Sequence, residues 1–219
     1  MELFLNDKLG KITFEIDQAS EPEAVLIIAH GAGAGMHHPF MSNLAVRIVN
    51  EGISTIRFNF PYMEQGRKSP GSPKANIETW SMVLNHVAGI YPSLPLFLSG
   101  KSYGGRMASH LIAENSIEEV KGIIYYGFPL HAPGRDSTDR ASHLTHIKVP
   151  QMFIQGTKDK LANLELMKEV TSELTDAQLE IIEEGDHSFN VPKRSGKTTD
   201  EILDLLAIKS ATWIKNLVS

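Results

Sequence analysis

The chain has 219 residues, 42% of them hydrophobic, a formal net charge of -5 and no cysteine. That length suits one domain, residues 1–219, with a sizeable core, and the missing thiols exclude a disulfide framework, a thiolate metal cluster and a cysteine nucleophile. A mild negative charge argues against nucleic-acid partners, which need a basic face, and the longest apolar run, Ala24 to Ala29, is too short to enter a membrane as a span.

The first residues, "MELFLNDKLGKITFEI", lack the basic and then apolar order of a secretory signal, so a soluble cytoplasmic protein is expected. Two alternating segments, "ELFL" and "KITFEI", flank the turn-forming "NDKLG" and read as a hairpin. Buried strands are expected at Ala24 to Ala29, Ser54 to Phe60, Leu94 to Ser99, Val120 to Tyr126, Pro150 to Gln155 and Leu179 to Glu183, each a short apolar run bounded by turn residues. Helical spacing lies between them: Met41, Leu44, Ala45, Ile48 and Val49 before Gly52, then Ile77, Trp80, Leu84 and Val87 after Pro73. A third helix carries Met107, Leu111 and Ile112 on one face. The last opens on a capping box, Thr198 with Glu201, and directs Ile202, Leu205, Leu206, Trp213 and Leu217 to the core. Alternating strands and helices predict an α/β fold, a mostly parallel sheet of about eight strands with helices on both faces and an antiparallel hairpin at one edge. In such sheets the chemistry collects after the carboxyl ends of the strands.

Two glycine-rich turns stand there. "GKS" at Gly100 to Ser102 has the ending of a phosphate-binding loop, but Pro95 occupies the position of the first glycine and Leu96 to Leu98 read as strand, so no cradle of amides can form. "HGAGAGMHHPF" follows a strand as a dinucleotide fingerprint does, yet Met36 and His38 stand where the third glycine is required, and no acidic residue ends "RFNF". The same "GKSYG" also fits G-x-S-x-G, on a strand-to-helix turn where small flanking residues let the two elements approach. Ser102 would then be the nucleophile, at a helix start whose amides favour negative charge. A serine needs a base and an orienting acid, and the order Ser, acid, His selects Asp159 in "QGTKDK" and His187 in "EEGDHSF", each after one of the last two strands. Asp136 and Asp139 are rivals in a longer surface segment, and Asp186 reads as a turn former.

On "HGAGAG", "FNFPYME", "GKSYGG", "QGTKD" and "GDHSF" the chain resembles a small α/β-hydrolase without a large cap domain, similar to the dienelactone-hydrolase-like members, and in particular to the group sharing "AHGAGAGM" and "GKSYGGRM". Dienelactone hydrolases proper use cysteine where this chain has Ser102. The resemblance implies a carboxylesterase or thioesterase acting on a small-molecule acyl substrate through Ser102, His187 and Asp159, with an oxyanion hole from the amides of Tyr103 and Ala32, Gly33 being the rival of Ala32. The group also includes eukaryotic relatives that work in chromatin complexes, so the alternative it implies is a non-catalytic binding or scaffold protein on the same fold. No cofactor and no metal is implied, since neither His37 with His38 nor His143 with His146 has further ligands at metal spacing. Only Gly127 to Val149 separate two strands where many relatives carry a lid, which predicts an open site bordered by Phe128, Pro129, Leu130 and His131 and by the loop from Pro61, with Gly33, His37 and Phe128 on the substrate side and His38 beside His37 at the pocket mouth. Lys101 is expected to be a variable residue between Gly100 and Ser102.

Overall fold

Unbroken runs of Val, Ile and Leu leave a strand no polar face to turn to water, so the sheet they form must be covered on both sides. In the computed structural model of the chain, which describes residues 1–115 and 117–219, this is the outcome. The strands β3 (Ala24–Ala29), β4 (Ile53–Phe58), β5 (Leu96–Lys101) and β7 (Gln151–Gly156) are buried at every residue, and β6 (Val120–Tyr126) at all but one. The hairpin strands β1 (Glu2–Asn6) and β2 (Gly10–Asp17) form one edge and the half-exposed β8 (Ala177–Ile182) the other. The order is β1-β2-β4-β3-β5-β6-β7-β8, antiparallel only at the β1–β2 and β2–β4 pairs.

Helices α1 (Pro39–Asn50) and α6 (Thr199–Val218) seal one face, where Leu44, Ile48, Leu206 and Ile214 meet Leu26, Ile28 and Ile124. The other face packs α3 (Pro73–Ile90), α4 (Tyr103–Glu114) and α5 (Leu164–Ser172) around Trp80, Met107 and Met167; α2 (Pro61–Glu64) is a single turn. The capping box of Thr198 and Glu201 forms as predicted, because each side chain accepts the other's backbone N–H. Leu217 instead faces solvent, and Val218 makes the last turn's core contact.

One boundary matters for the chemistry. The sequence ends the β5 strand at Ser99, but Lys101 is still paired with Tyr126 of β6, and the Ser102 N–H continues the ladder to the Tyr126 carbonyl at 3.0 Å. Lys101 is therefore a buried strand residue. The chain leaves β3 for one neighbour, β4, and returns past it to the other, β5; the crevice between the carboxyl ends of β3 and β5 is thus the topological switch point, where α/β sheets bind their ligands. No helix among the described residues is long and apolar enough to cross a membrane.

Candidate active site

The turn from β5 into α4 is held by backbone contact. A Cβ placed on Gly104 would stand 2.5 Å from the Ala29 carbonyl and 2.6 Å from that of His30, and one on Gly100 would overlap the backbone of Gly105. Only glycine lets the helix start sit against β3 and β5. Ser102, at the apex, has φ 51° and ψ -114°, a positive φ that costs a side-chain-bearing residue about 1–3 kcal/mol and recurs at functional turns.

The strand ends carry two further side chains to this apex. The His187 Nε2 lies 2.8 Å from Ser102 Oγ, and its Nδ1 lies 2.7 Å from Asp159 Oδ2. A carboxylate oxygen only accepts, so Nδ1 carries the proton and Nε2 is left to accept from the hydroxyl. The Asp159 side chain is fully buried. Burial of a carboxylate demands donors, and it has three: His187, the Leu161 N–H at 2.7 Å on Oδ1, and the Gln155 amide on Oδ2. Gln155 was not anticipated, since a glutamine inside an apolar strand gives no hint of its partner. The acid and base loops meet because the Gly156 backbone lies flat against that of Gly185, and the Lys158 N–H donates to the Gly185 carbonyl at 2.8 Å.

The rival acids have other work. Asp136 accepts from Asn163 Nδ2 at 2.7 Å on the surface, Asp139 opens a one-turn 3-10 helix, and Asp186 accepts the N–H groups of Ser188 and Asn190 at 2.7 and 2.9 Å.

The loop after β3 is fixed from below. His30 Nδ1 donates to the Gly31 carbonyl at 2.8 Å and Nε2 accepts the Phe60 N–H at 3.1 Å, while burial pushes this imidazole down to about 4, so it stays neutral. Asn59 accepts the Met36 N–H at 2.8 Å, and Arg57 donates to the Met36 carbonyl at 2.8 Å while pairing with Glu15 and Asp17 at 2.8 and 3.0 Å. Sequence reading passed over all three. Among the described residues, the backbone amides of Tyr103, of Ala32 and of its rival Gly33 donate to no backbone acceptor, as the first residue of α4 must and as an anion site requires.

A cavity of about 350 Å³ opens on Ser102 and His187, walled by Ala32, Ala34, Phe40, Met41 and Leu161. The larger depressions, about 580 and 520 Å³, lie at the other end of the sheet, around the starts of β7 and β5. Three expected substrate-side residues sit elsewhere. The His37 side chain is 63% exposed and points to Glu15, 3.7 Å away, leaving its neighbour His38 to line the cavity. Phe128 is 1% exposed and packs edge-on against Tyr125 and Phe153, and Leu130 and His131 are buried beside it, so this segment is core and not rim. The Cβ direction of Gly33 faces the Lys68 carbonyl in the loop from Pro61, which Asn76 ties down through Pro70 and the Tyr103 hydroxyl, both at 2.8 Å. His143 is occupied elsewhere: its ring stacks on His110 with 3.7 Å between centroids and shares a hydrogen bond with Ser109.

A sharp turn carrying a serine after a central strand, with histidine and aspartate delivered by the last two strands, defines the class of α/β hydrolases. The family description "Alpha/beta hydrolase domain" matches residues 22–215, and the chain belongs to that family. Among solved structures the chain is similar to the dienelactone hydrolase from Anabaena variabilis, at 18% identity and TM-score 0.79, covering 100% of this chain and 99% of the other. It is also similar to an alpha-beta serine hydrolase homologue from Coxiella burnetii, at 20% identity, TM-score 0.76 and 96% coverage of both chains. A third likeness is to an α/β serine hydrolase without lid from Xanthomonas campestris, at 20% identity, TM-score 0.67 and 86% coverage of both.

Proposed function

We propose that the protein is a serine hydrolase that cleaves ester or thioester bonds of small to medium acyl substrates. The observation that carries this reading is the unbroken hydrogen-bond chain from Asp159 through His187 to Ser102, at 2.7 and 2.8 Å, beside a cavity of about 350 Å³. Ser102 Oγ attacks the acyl carbonyl as its proton passes to His187 Nε2, and the imidazolium that forms is stabilised by Asp159. The carbonyl oxygen becomes an oxyanion within reach of the Tyr103 and Ala32 amides. Collapse expels the alcohol or thiol with the proton from His187; a water then gives its proton to Nε2, attacks the acyl-serine ester, and releases the acid and free Ser102. Ala32, Ala34, Phe40, Met41 and Leu161 give the cavity an apolar side that suits an acyl group of modest length, while His38, Lys101 and Ser188 give it a polar one.

The test is labelling of Ser102 by a fluorophosphonate probe together with turnover of short p-nitrophenyl esters and acyl thioesters. Ser102→Ala is expected to lose labelling and to lower kcat by about 10⁴-fold or more. Folded wild-type protein that neither labels at Ser102 nor turns over any member of the panel would instead favour the binding or scaffold reading.

A further inference from the structure

The lysine of "GKS" takes no proton and touches no reacting atom in the proposed reaction, yet it borders the Ser102 cavity and is among the most constrained charges in the molecule. Lys101 is 9% exposed, at the last position of β5 beside Ser102. Its Nζ donates to the main-chain carbonyl of His187 at 2.5 Å. The rings of Phe40 and Phe189 lie 5.9 and 5.6 Å away by their centroids, close enough for cation–π attraction, Gly127 lies alongside, and the Lys101 side chain also borders the cavity at Ser102. No carboxylate among the described residues comes within 4 Å of the ammonium. A buried ammonium without an ion-pair partner is costly, and an apolar residue would fill the space between two phenylalanines at less cost. Stability alone does not account for a lysine here.

We propose that Lys101 is the positioning residue for His187: its ammonium clamps the His187 carbonyl and so holds the imidazole in line between Asp159 and Ser102. The inference rests on the reading of His187 as general base. His187 lies in a loop whose neighbouring turn Asp186 braces through the Ser188 and Asn190 N–H groups, and among the described residues the ring's own hydrogen bonds go to Asp159 and Ser102. A donor on the histidine's own carbonyl fixes the backbone from which the ring projects, from a strand that also carries the nucleophile. One rigid element therefore sets both ends of the Ser102–His187 hydrogen bond.

The clamp is also sensitive to pH. Burial pushes the Lys101 ammonium down to about 8, against the pull of Asp159 from the turn after β7 and Asp186 from the loop after β8. His187 on that same loop and His38 on the cavity wall are the other titratable groups around it. Loss of the proton turns a charge-assisted bond into a neutral one of roughly half the strength.

The experiment measures kcat and KM for a neutral p-nitrophenyl ester from pH 6 to 10 in wild type, Lys101→Met and Lys101→Arg, with melting temperatures alongside. Wild-type kcat is expected to fall on the alkaline side of about pH 8, as the ammonium loses its proton. Lys101→Met is expected to lose about 10- to 100-fold in kcat, as for a slightly misplaced catalytic group, with KM little changed, no alkaline limb, and a melting temperature equal to or above wild type. Lys101→Arg, which keeps a cation that does not titrate, is expected to recover part of the rate and to hold it above pH 8. A Lys101→Met protein with wild-type kcat and the wild-type alkaline limb overturns the proposal, as does a wild type whose rate is flat from pH 7 to 10, a result that needs no variant to fold. Should Lys101→Met fail to fold, Lys101→Gln provides the uncharged comparison, and the same loss of the limb is required of it. Either failure leaves turnover through Ser102 intact, whereas wild-type protein inert at every pH removes the hydrolase reading and the inference with it.

Discussion

At the level of single residues, the site is a relay in which each group is held by the next one out. Ser102 is presented by backbone strain, His187 is aimed by Asp159, and Asp159 is in turn fixed by Gln155 and the Leu161 N–H. The sequence made Ser102, Asp159 and His187 legible because chemistry restricts which residue types can serve and because each follows a strand. Gln155 and Lys101 were hidden for the opposite reason: both sit inside strands, and a lone polar residue in an apolar run does not say which neighbour it will meet. The role proposed for Asp159 makes a specific demand. Asp159→Asn keeps the shape but lets an amide face His187 Nδ1, so the imidazole is driven to the tautomer that cannot take the serine proton. We expect kcat to fall by about 10⁴-fold with KM little changed, and the melting temperature to drop by roughly a few degrees because the new amide also faces the Gln155 donor. Steady-state kinetics alongside circular dichroism checks this, and a loss of less than tenfold would mean that the Asp159–His187 pair is structural.

At the level of elements, the sequence read strand interiors well and strand ends poorly. Continuous apolar runs announce β3 and β6 to the residue, whereas β5 is read two residues early, because its last residues are serine, glycine and lysine and belong to the sheet through pairing with β3 and β6, not through apolar character. The substrate side went astray for a related reason. Nearness in sequence to a strand end points to Gly33, Phe128, His37 and His38 alike, but direction along the loop decides which of them enters the cavity: His38 does, with Phe40 and Met41, and His37 does not. One element-scale contact was invisible altogether. Gly156 ends β7 against Gly185 in the loop after β8, so the acid-bearing and base-bearing segments touch through bare backbone. Gly156→Ala would force them apart. We expect a stability loss of about 3 kcal/mol or more, in the range of severe overpacking, and a fall in kcat greater than the unfolded fraction explains, because Asp159 and His187 move away from each other. Denaturant unfolding and kinetics on the folded fraction measure the two separately; a variant as active as wild type would show that the loops tolerate separation.

At the level of the whole molecule, the layered fold follows from composition, but its response to acid follows from which polar groups the layers swallow. His30 is caught beneath the loop after β3 with both ring nitrogens committed, and burial holds it at about 4 against an ordinary value of 6.5. His143 is pushed to about 3 by burial and by the neighbouring charges of His110, Arg106 and His146, though it is only partly enclosed. The sign follows directly. Both folded values lie below the unfolded one, so above pH 6.5 neither state binds the proton and the fold keeps its full stability. As the pH falls below 6.5 the unfolded chain takes up protons that the folded chain refuses, and stability declines until the folded values are reached. For His30 alone the gap corresponds to roughly 3 kcal/mol between pH 6.5 and 4, a large part of the 5–15 kcal/mol typical of a domain. Urea unfolding at pH 7.5, 6, 5 and 4.5 should therefore give midpoints that fall at every step, modestly between the first two and steeply below pH 6. The His30 ring resonance should remain neutral down to about pH 5 in the folded protein. If the midpoint were flat across this range, or the ring titrated near 6.5, His30 would not be the buried neutral support of the loop that carries Ala32, and that loop would owe its shape to Arg57 and Asn59 alone.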